Sequence, residues 1–531
     1  MGSASSSNSS PAPPPPTSYP MENSYNYLHG RINPGLEENF DLIESIEIEK
    51  QLDRELQQRN DLVGLSDDED VSKARECTDF QKDSTTSLSS KGRSFITELP
   101  SELIDCVLSL LGPIDLVAMS GTCRLLSAHS KSDIFWQRHV QENVPGERIT
   151  SPDPCRSFRE LYIAHDPHWF LPKYKLWFCD YYLTGKLIIV RYDQRTGVIT
   201  GHRLVAEREA PTFEPWEANN EVIIHNFSPN CHLHLDQAIL RLDALSLESL
   251  ISSAGQARPE YRYSAETPMH LQEKSHRGVF SNFMLSRPVE ERANMMIWPP
   301  PTIPARHRVQ AGKSEAFVGQ GHKPQKRSQV SNQTFRIRRW MQMMASNNAP
   351  GLHLGEEMYT YATLDPKLYT PTEEKPYRGI WVGDYSGHGC EFLLMHQPDD
   401  VEPFDEASVV QREDETPKEW EKRKKEERIN RGPLEAIKLT GDPNIPRGEY
   451  TFVSDDISDA CLIRTVTEPR FNGARIIKSR GQIAARMYRN AKYIETQLIM
   501  ISHNRLAQIW LGFGHISFYE RINIDSFLAP T

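Results

Sequence analysis

GIWVGDYSGHGCEFLLM, residues 379–395, sets a histidine and a cysteine among glycines, and its reading decides whether the chain is built around a phosphate loop, a catalytic dyad or a pair of strands. A phosphate-cradling loop needs its glycines between a strand and a helix start, where the first-turn N–H groups face the anion. Here Gly383, Gly387 and Gly389 lead into CEFLLM, a strand-forming run. A dyad fares no better. His388 and Cys390, two apart in a strand, share a face at ~7 Å, and no helix end or cation stands by to depress the thiol. The stretch reads as two strands, GIWVGDY and GCEFLLM, turned at SGHG.

Working outward, the same texture recurs. LEAIKLTGDPNIPRGEYTFV (434–453), GARIIKSRGQIAARMY and AQIWLGFGHISFYERI follow; YKLWFCDYYL, GKLIIVRYD, GVITGHRLVAE and EVIIHNF precede. YDQRTGV (192–198) is a hairpin loop in which Gly197 supplies a positive φ. No ten-residue helices alternate with these strands, which excludes a parallel doubly wound sheet. Many short strands with glycine corners predict an antiparallel barrel. FRIRRWMQMMA (335–345) is expected as a short amphipathic helix carrying Phe335, Ile337, Trp340 and Met344, and the insertion PDDVEPFDEASVVQREDETPKEWEKRKKEERINRG (398–432) is expected to include a solvated helix, with Glu421 and Lys425 at i, i+4.

Composition narrows the function classes. The 531 residues carry a net charge of −11, which argues against a general nucleic-acid binder, and only 38% are hydrophobic, so part of the chain is expected to stay unpacked. No apolar run approaches the ~20 residues of a membrane span and no signal peptide opens the chain, so a soluble protein of the cytoplasm or nucleus is expected, without a membrane partner. Eight scattered cysteines without a CxxC pair fit reduced thiols. His225, Cys231, His232 and His234 lack the paired spacing of a zinc site. No metal, cofactor or catalytic residue is expected.

Residues 94–140 differ from the rest. In SFITELPSELIDCVLSLLGPIDLVAMSGTCRLLSAHSKSDIFWQRHV, Leu103, Ile104, Val107, Leu108 and Leu111 form one wide apolar stripe, Gly112-Pro113 ends that helix, and Asp115 favours the start of a second. So short a helical unit carries more apolar surface than it can bury, which points to a partner. LPSEL (99–103), DLVAMSGTCR (115–124) and IFWQRHV (134–140) stand in the order and spacing of an F-box, and the segment resembles that family. The resemblance implies docking on a Skp-type adaptor and, through it, a cullin and a RING subunit. Leu99, Pro100, Leu103, Ile104, Leu108 and Leu116 would face the adaptor, with Trp136 closing the core.

A second resemblance covers the strands. RGIWVGDYSGHGCEFLLM, KLTGDPNIPRGEYTFV, AEREA (206–210) and IWLGFGHISFYERI look like the substrate-binding barrel of F-box proteins of the F-box-only protein thirty-one type, in which Pro443, Pro446 and Gly448 fix a rigid connection. It implies an α+β chain in which a small helical F-box precedes an antiparallel β-barrel with long loop insertions. The expected layout is a disordered tail over 1–92, the F-box and following helices over 93–165, barrel strands over 166–250, a loose insertion over 251–375, barrel strands over 376–397, a charged insertion over 398–432 and the rest of the barrel over 433–531. It further implies a non-catalytic receptor that binds client chain ends for ubiquitin transfer, with Trp381, Tyr385, His388, Asp442 and Asn444 as substrate-binding candidates. An F-box scaffold holding an undegraded partner outside the ligase is the alternative.

Overall fold

The computed structural model describes residues 95–179, 183–254, 261–271, 279–288, 323–343, 352–385, 388–400 and 402–530. The expected tail over 1–92 and the proline-rich 298–310 lie outside them. Four helices open the described chain: α1 (Ser101–Leu108), α2 (Pro113–Ser120), α3 (Arg124–Ser130) and α4 (Asp133–Gln141). Pro113 sits in the first turn of α2, where its missing N–H costs nothing. Ile104, Leu108, Leu116, Leu126 and Trp136 fill the space between them, and the Trp136 indole donates to Ser130 O at 2.8 Å. Next come α5 (Phe158–His165), capped by Ser157, and α6 (Phe170–Tyr174).

Strands follow. β1 (Leu176–Cys179), β2 (Leu187–Asp193), β3 (Val198–Arg208), β4 (Phe213–Trp216), β5 (Asn219–His225) and β6 (Pro229–Asp243) lead to α7 (Ala244–Ala254) and α8 (Tyr261–Ser264). β7 (Thr267–Met269), β8 (Val279–Leu285), β9 (Thr334–Met343) and β10 (Leu352–Thr363) complete an antiparallel eight-stranded sheet in the order β6-β3-β2-β1-β10-β9-β8-β7. The β2–β3 hairpin turns at Gly197, whose φ is +69°.

Two sequence expectations are corrected here. Thr334–Met343 is a strand, not a helix, because Phe335 and Ile337 alternate with Arg336 and Arg338 and so share one face. With β7, β8 and β10, it puts structure where a loose insertion was expected. The strands of 166–250 also lie outside the barrel: β1, β2, β3 and β6 belong to the eight-stranded sheet. Their unbroken apolar runs record burial on both faces. Leu176, Phe178, Leu187 and Ile189 face one core, while Trp177, Cys179, Ile188 and Val190 face the helices.

The barrel forms from the remaining chain. After α9 (Pro366–Tyr369) come β11 (Gly379–Asp384) and β12 (Cys390–His396), then α10 (Pro417–Ile429), β13 (Leu434–Lys438), β14 (Tyr450–Ser454), β15 (Leu462–Thr465), β16 (Arg475–Ala485), β17 (Arg489–Ser502), β18 (Arg505–Trp510) and β19 (His515–Ile522). The order β11-β12-β13-β14-β16-β17-β18-β19 closes on itself through β11–β19, with Ile380 opposite Ile522 and Gly383 opposite Tyr519. Alternation again divides the side chains. Trp381, Leu393, Leu434, Phe452, Leu498 and Leu506 fill the barrel, whereas Ile380, Leu394, Ile437, Ile499 and Phe518 pack outward beneath the sheet. The order of layers is therefore helices, sheet, barrel. No helix among the described residues is long and apolar enough to cross a membrane.

Candidate functional site

Because neighbouring barrel strands run antiparallel, the C-terminal ends of β11, β13, β16 and β18 all gather at one end, with the turns 439–449, 485–489 and 511–514. The inward positions nearest that end are polar. Tyr519 Oη donates to Gln508 Oε1 at 2.7 Å, Gln508 Nε2 to Thr496 Oγ1 at 3.0 Å, and the Ser479 and Thr496 hydroxyls meet at 2.8 Å. Tyr385 Oη donates to Thr451 Oγ1 at 2.7 Å. Gln482 Nε2 donates to Tyr488 Oη, which donates to Glu449 Oε2, both at 2.8 Å.

Charge is buried among them. Lys438 Nζ lies 2.6 Å from Glu391 Oε2, pairs with Asp442 Oδ2, and sits 4.2 Å from the centre of the Tyr385 ring. Burial pushes the Glu391 carboxyl up to about 8, despite the opposing pull of Lys438. Asp442 goes the other way: burial raises it, but Lys438 and the N–H groups of Asn444 and Ile445 outweigh that and hold it below its usual range. Glu391 Oε1, buried inside, accepts no hydrogen bond among the described residues, and an unsatisfied buried acceptor costs free energy until a donor reaches it. This polar end of the barrel, the well, is the candidate site.

Its walls are stiff. The connection 440–448 is clamped to the loop before β2 by Gly441 N–H to Thr184 O at 2.8 Å and Arg447 N–H to Leu183 O at 3.0 Å. The β16–β17 turn is tied to it by Met487 N–H to Pro443 O at 2.7 Å and by Asn444 Nδ2 to Ala484 O at 2.8 Å. In that turn Met487, Tyr488 and Asn490 hold φ of +62°, +54° and +53°, left-handed conformations that non-glycine residues adopt at a cost.

The five sequence candidates divide. Tyr385 lines the well, and Asp442 and Asn444 shape its wall, Asp442 Oδ1 accepting from Asn444 N–H at 2.6 Å. His388 is exposed in the turn above. Trp381 has no exposed surface, and its indole donates to Tyr377 O at 3.2 Å inside the core, so it has nothing to offer a ligand. Sequence reading passed over Glu391, Lys438, Gln482, Gln508 and Tyr519. The signal was parity: Glu391 stands two before Leu393, and Lys438 two after Ala436, on inward positions where an apolar residue is the rule. Burial raises the Cys390 thiol to about 11, the reverse of what a nucleophile needs. His225, one of the four residues weighed as metal ligands, instead sits 3.0 Å from Asp384, which also takes Arg208 at 2.5 Å.

At the helical end, Leu99, Pro100 and Leu103 are exposed, and Val107, Leu110, Ile114 and Val117 extend them into an apolar face. Ile104, Leu108 and Leu116, expected on that face, have no exposed surface; Ile104 and Leu108 are the i+1 side of the stripe, and with Leu116 of α2 they point into the bundle. A stripe wide enough to serve a core and a partner does not say from spacing alone which half does which.

Comparison with known families gives two matches: the F-box domain over residues 96–138, and the Cyclin D1 binding domain over residues 361–526. The second begins in β10 and covers the whole closed barrel. No curated protein matches the chain.

Proposed function

We propose that this chain, which carries an F-box domain, is the substrate-recognition subunit of an SCF-type ubiquitin ligase. The F-box match supports this, and the apolar face of Leu99, Pro100, Leu103, Val107, Leu110 and Ile114 is the observation that carries it: a unit this small leaves such a surface open for a partner. A Skp-type adaptor takes that face and brings cullin and RING subunits. The chain contributes no chemistry of its own; it holds a client where ubiquitin transfer is intramolecular in effect.

The client's end enters the barrel well. Because Glu391 keeps its proton up to about 8, two buried carboxylates, Asp442 and Glu449, balance two buried cations, Lys438 and Arg447. A well without net charge favours a neutral chain end bearing N–H groups over a bare carboxylate, which would be buried unpaired. The Cyclin D1 binding domain match makes cyclin D1 the first client to test.

The test is co-purification of the intact chain and of Leu103→Arg/Leu110→Arg, both exposed positions, with adaptor, cullin and cyclin D1 quantified and client levels followed in cells. Loss of adaptor and cullin together with a rise in the client is the expected result. Loss of the adaptor with no client stabilised would leave a scaffold acting outside the ligase, and retention of the adaptor would overturn the assignment. Peptides that end in a carboxamide and in a carboxylate, compared for affinity, report on the well directly.

A further inference from the structure

The β4–β5 hairpin is joined to the barrel at the end where the well opens. Ile223 N–H donates to Gly514 O at 2.9 Å, and Ile223 pairs in parallel register with His515. His515 belongs to the inward-facing set of β19 with Ser517 and Tyr519, and paired residues share a face. The Ile223 face of the hairpin therefore prolongs the inner wall of the barrel beyond its rim. Pro215 and Phe213 stand on that same face, opposite Ile223 and His225.

At Phe213 and Ile223 this face is apolar and open, while His225 beside Phe213 is buried against Asp384. Phe213 is 61% exposed and Ile223 48%, while the reverse face is anchored by buried Val222 and Ile224, with Trp216 against Phe471 at 6.0 Å. Gly514, at φ +62°, lets the hairpin approach: a Cβ there would lie 2.8 Å from Glu221 O. Trp510 links face and well. Its ring covers Gly481 on one side, its indole donates to Ser517 Oγ at 3.1 Å, and it stacks on His515 at 6.2 Å, with Phe513, 57% exposed, beside both.

We propose that the hairpin is the second half of the client-binding surface, on which Phe213, Ile223 and Phe513 take an apolar side chain lying upstream of the client's end. This rests on the reading of the well as the seat of that end. From Trp510 over His515 to Ile223 is one stacking step of 6.2 Å and one strand spacing of ~4.8 Å, roughly 11 Å, so at ~3.3 Å per residue of extended chain the anchored residue lies at least three positions back from the client's end. Strand addition is not the mode, since β4 is four residues long and includes a proline without an N–H.

The experiment measures binding of synthetic peptides, the last twelve and the last three residues of cyclin D1, each ending in a carboxamide, and of intact cyclin D1, to the full chain. Phe213→Ser/Ile223→Ser alters only exposed side chains, and thermal melting verifies that it is folded. It is expected to weaken the twelve-residue peptide about tenfold and leave the three-residue peptide unchanged, whereas Glu391→Leu, which removes the acceptor, weakens both. If the hairpin variant binds the long peptide and intact cyclin D1 as the wild type does, the hairpin inference is overturned whatever Glu391→Leu does. If instead Glu391→Leu changes nothing while the hairpin variant weakens binding, the well reading falls and the hairpin stands as an interface of its own. Failure of every probe to bind the wild type overturns both.

Discussion

Glu391 shows how one carboxyl can carry both a cost and a function. Burial keeps its proton on up to about 8, against 4.5 for the ordinary group, so between those values the folded chain holds a proton that the unfolded chain has lost. Stability then falls as pH rises through that window. Melting temperature measured at about pH 6 and about pH 9 should drop in the wild type and drop less in Glu391→Gln, which cannot ionise. Gly441 makes the opposite kind of prediction. A Cβ there would lie 2.4 Å from Arg447 N and 2.6 Å from Leu183 O, both backbone atoms that cannot swing away. Gly441→Ala should cost about 2–3 kcal/mol in denaturant unfolding, or prevent folding outright.

At the scale of the element, periodicity decided how much was legible beforehand. The hairpins 187–208 and 379–396 announced themselves through Gly197 and the SGHG turn, because alternation and turn chemistry are local. The helix α10 was equally plain. Thr416 Oγ1 accepts from Glu419 N–H at 3.3 Å, and Glu419 Oε2 from Thr416 N–H at 2.9 Å. Thr416→Ala should cost about 1 kcal/mol without altering client binding, as calorimetry beside a binding assay would show. What stayed hidden depended on tertiary partners. Phe335 and Ile337 suit a helix or a strand until Phe283 and Tyr361 are seen beside Phe335. Ile104 and Leu103 differ only in which side of one helix meets Trp136 and its neighbours. Tyr385 and Asp442 entered the reading because the family resemblance covers their turns; Glu391 and Lys438 sit inside strands, where only knowledge of the closed barrel makes their polarity informative.

For the whole molecule, the sheet buried on both faces is the decisive feature. The matched segment 361–526 contains the barrel, yet Ile380, Leu394, Ile437, Ile499 and Phe518 on its outside are covered by Leu176, Phe178, Leu187 and Ile189 of the sheet. A fragment of residues 361–531 should therefore aggregate when expressed, whereas residues 94–531 should purify as a soluble species; size-exclusion chromatography distinguishes the two. The joint among Arg208, His225 and Asp384, from β3, β5 and β11, adds polar bonds across the same boundary. β19 has a further consequence at synthesis. It pairs with β18, β11 and β5 at once, so three seams stay open on the nascent protein until this strand emerges from the ribosome to sew them shut. A stop codon upstream of residue 515 leaves three exposed strand edges, an invitation to aggregation and to the cell's own quality control.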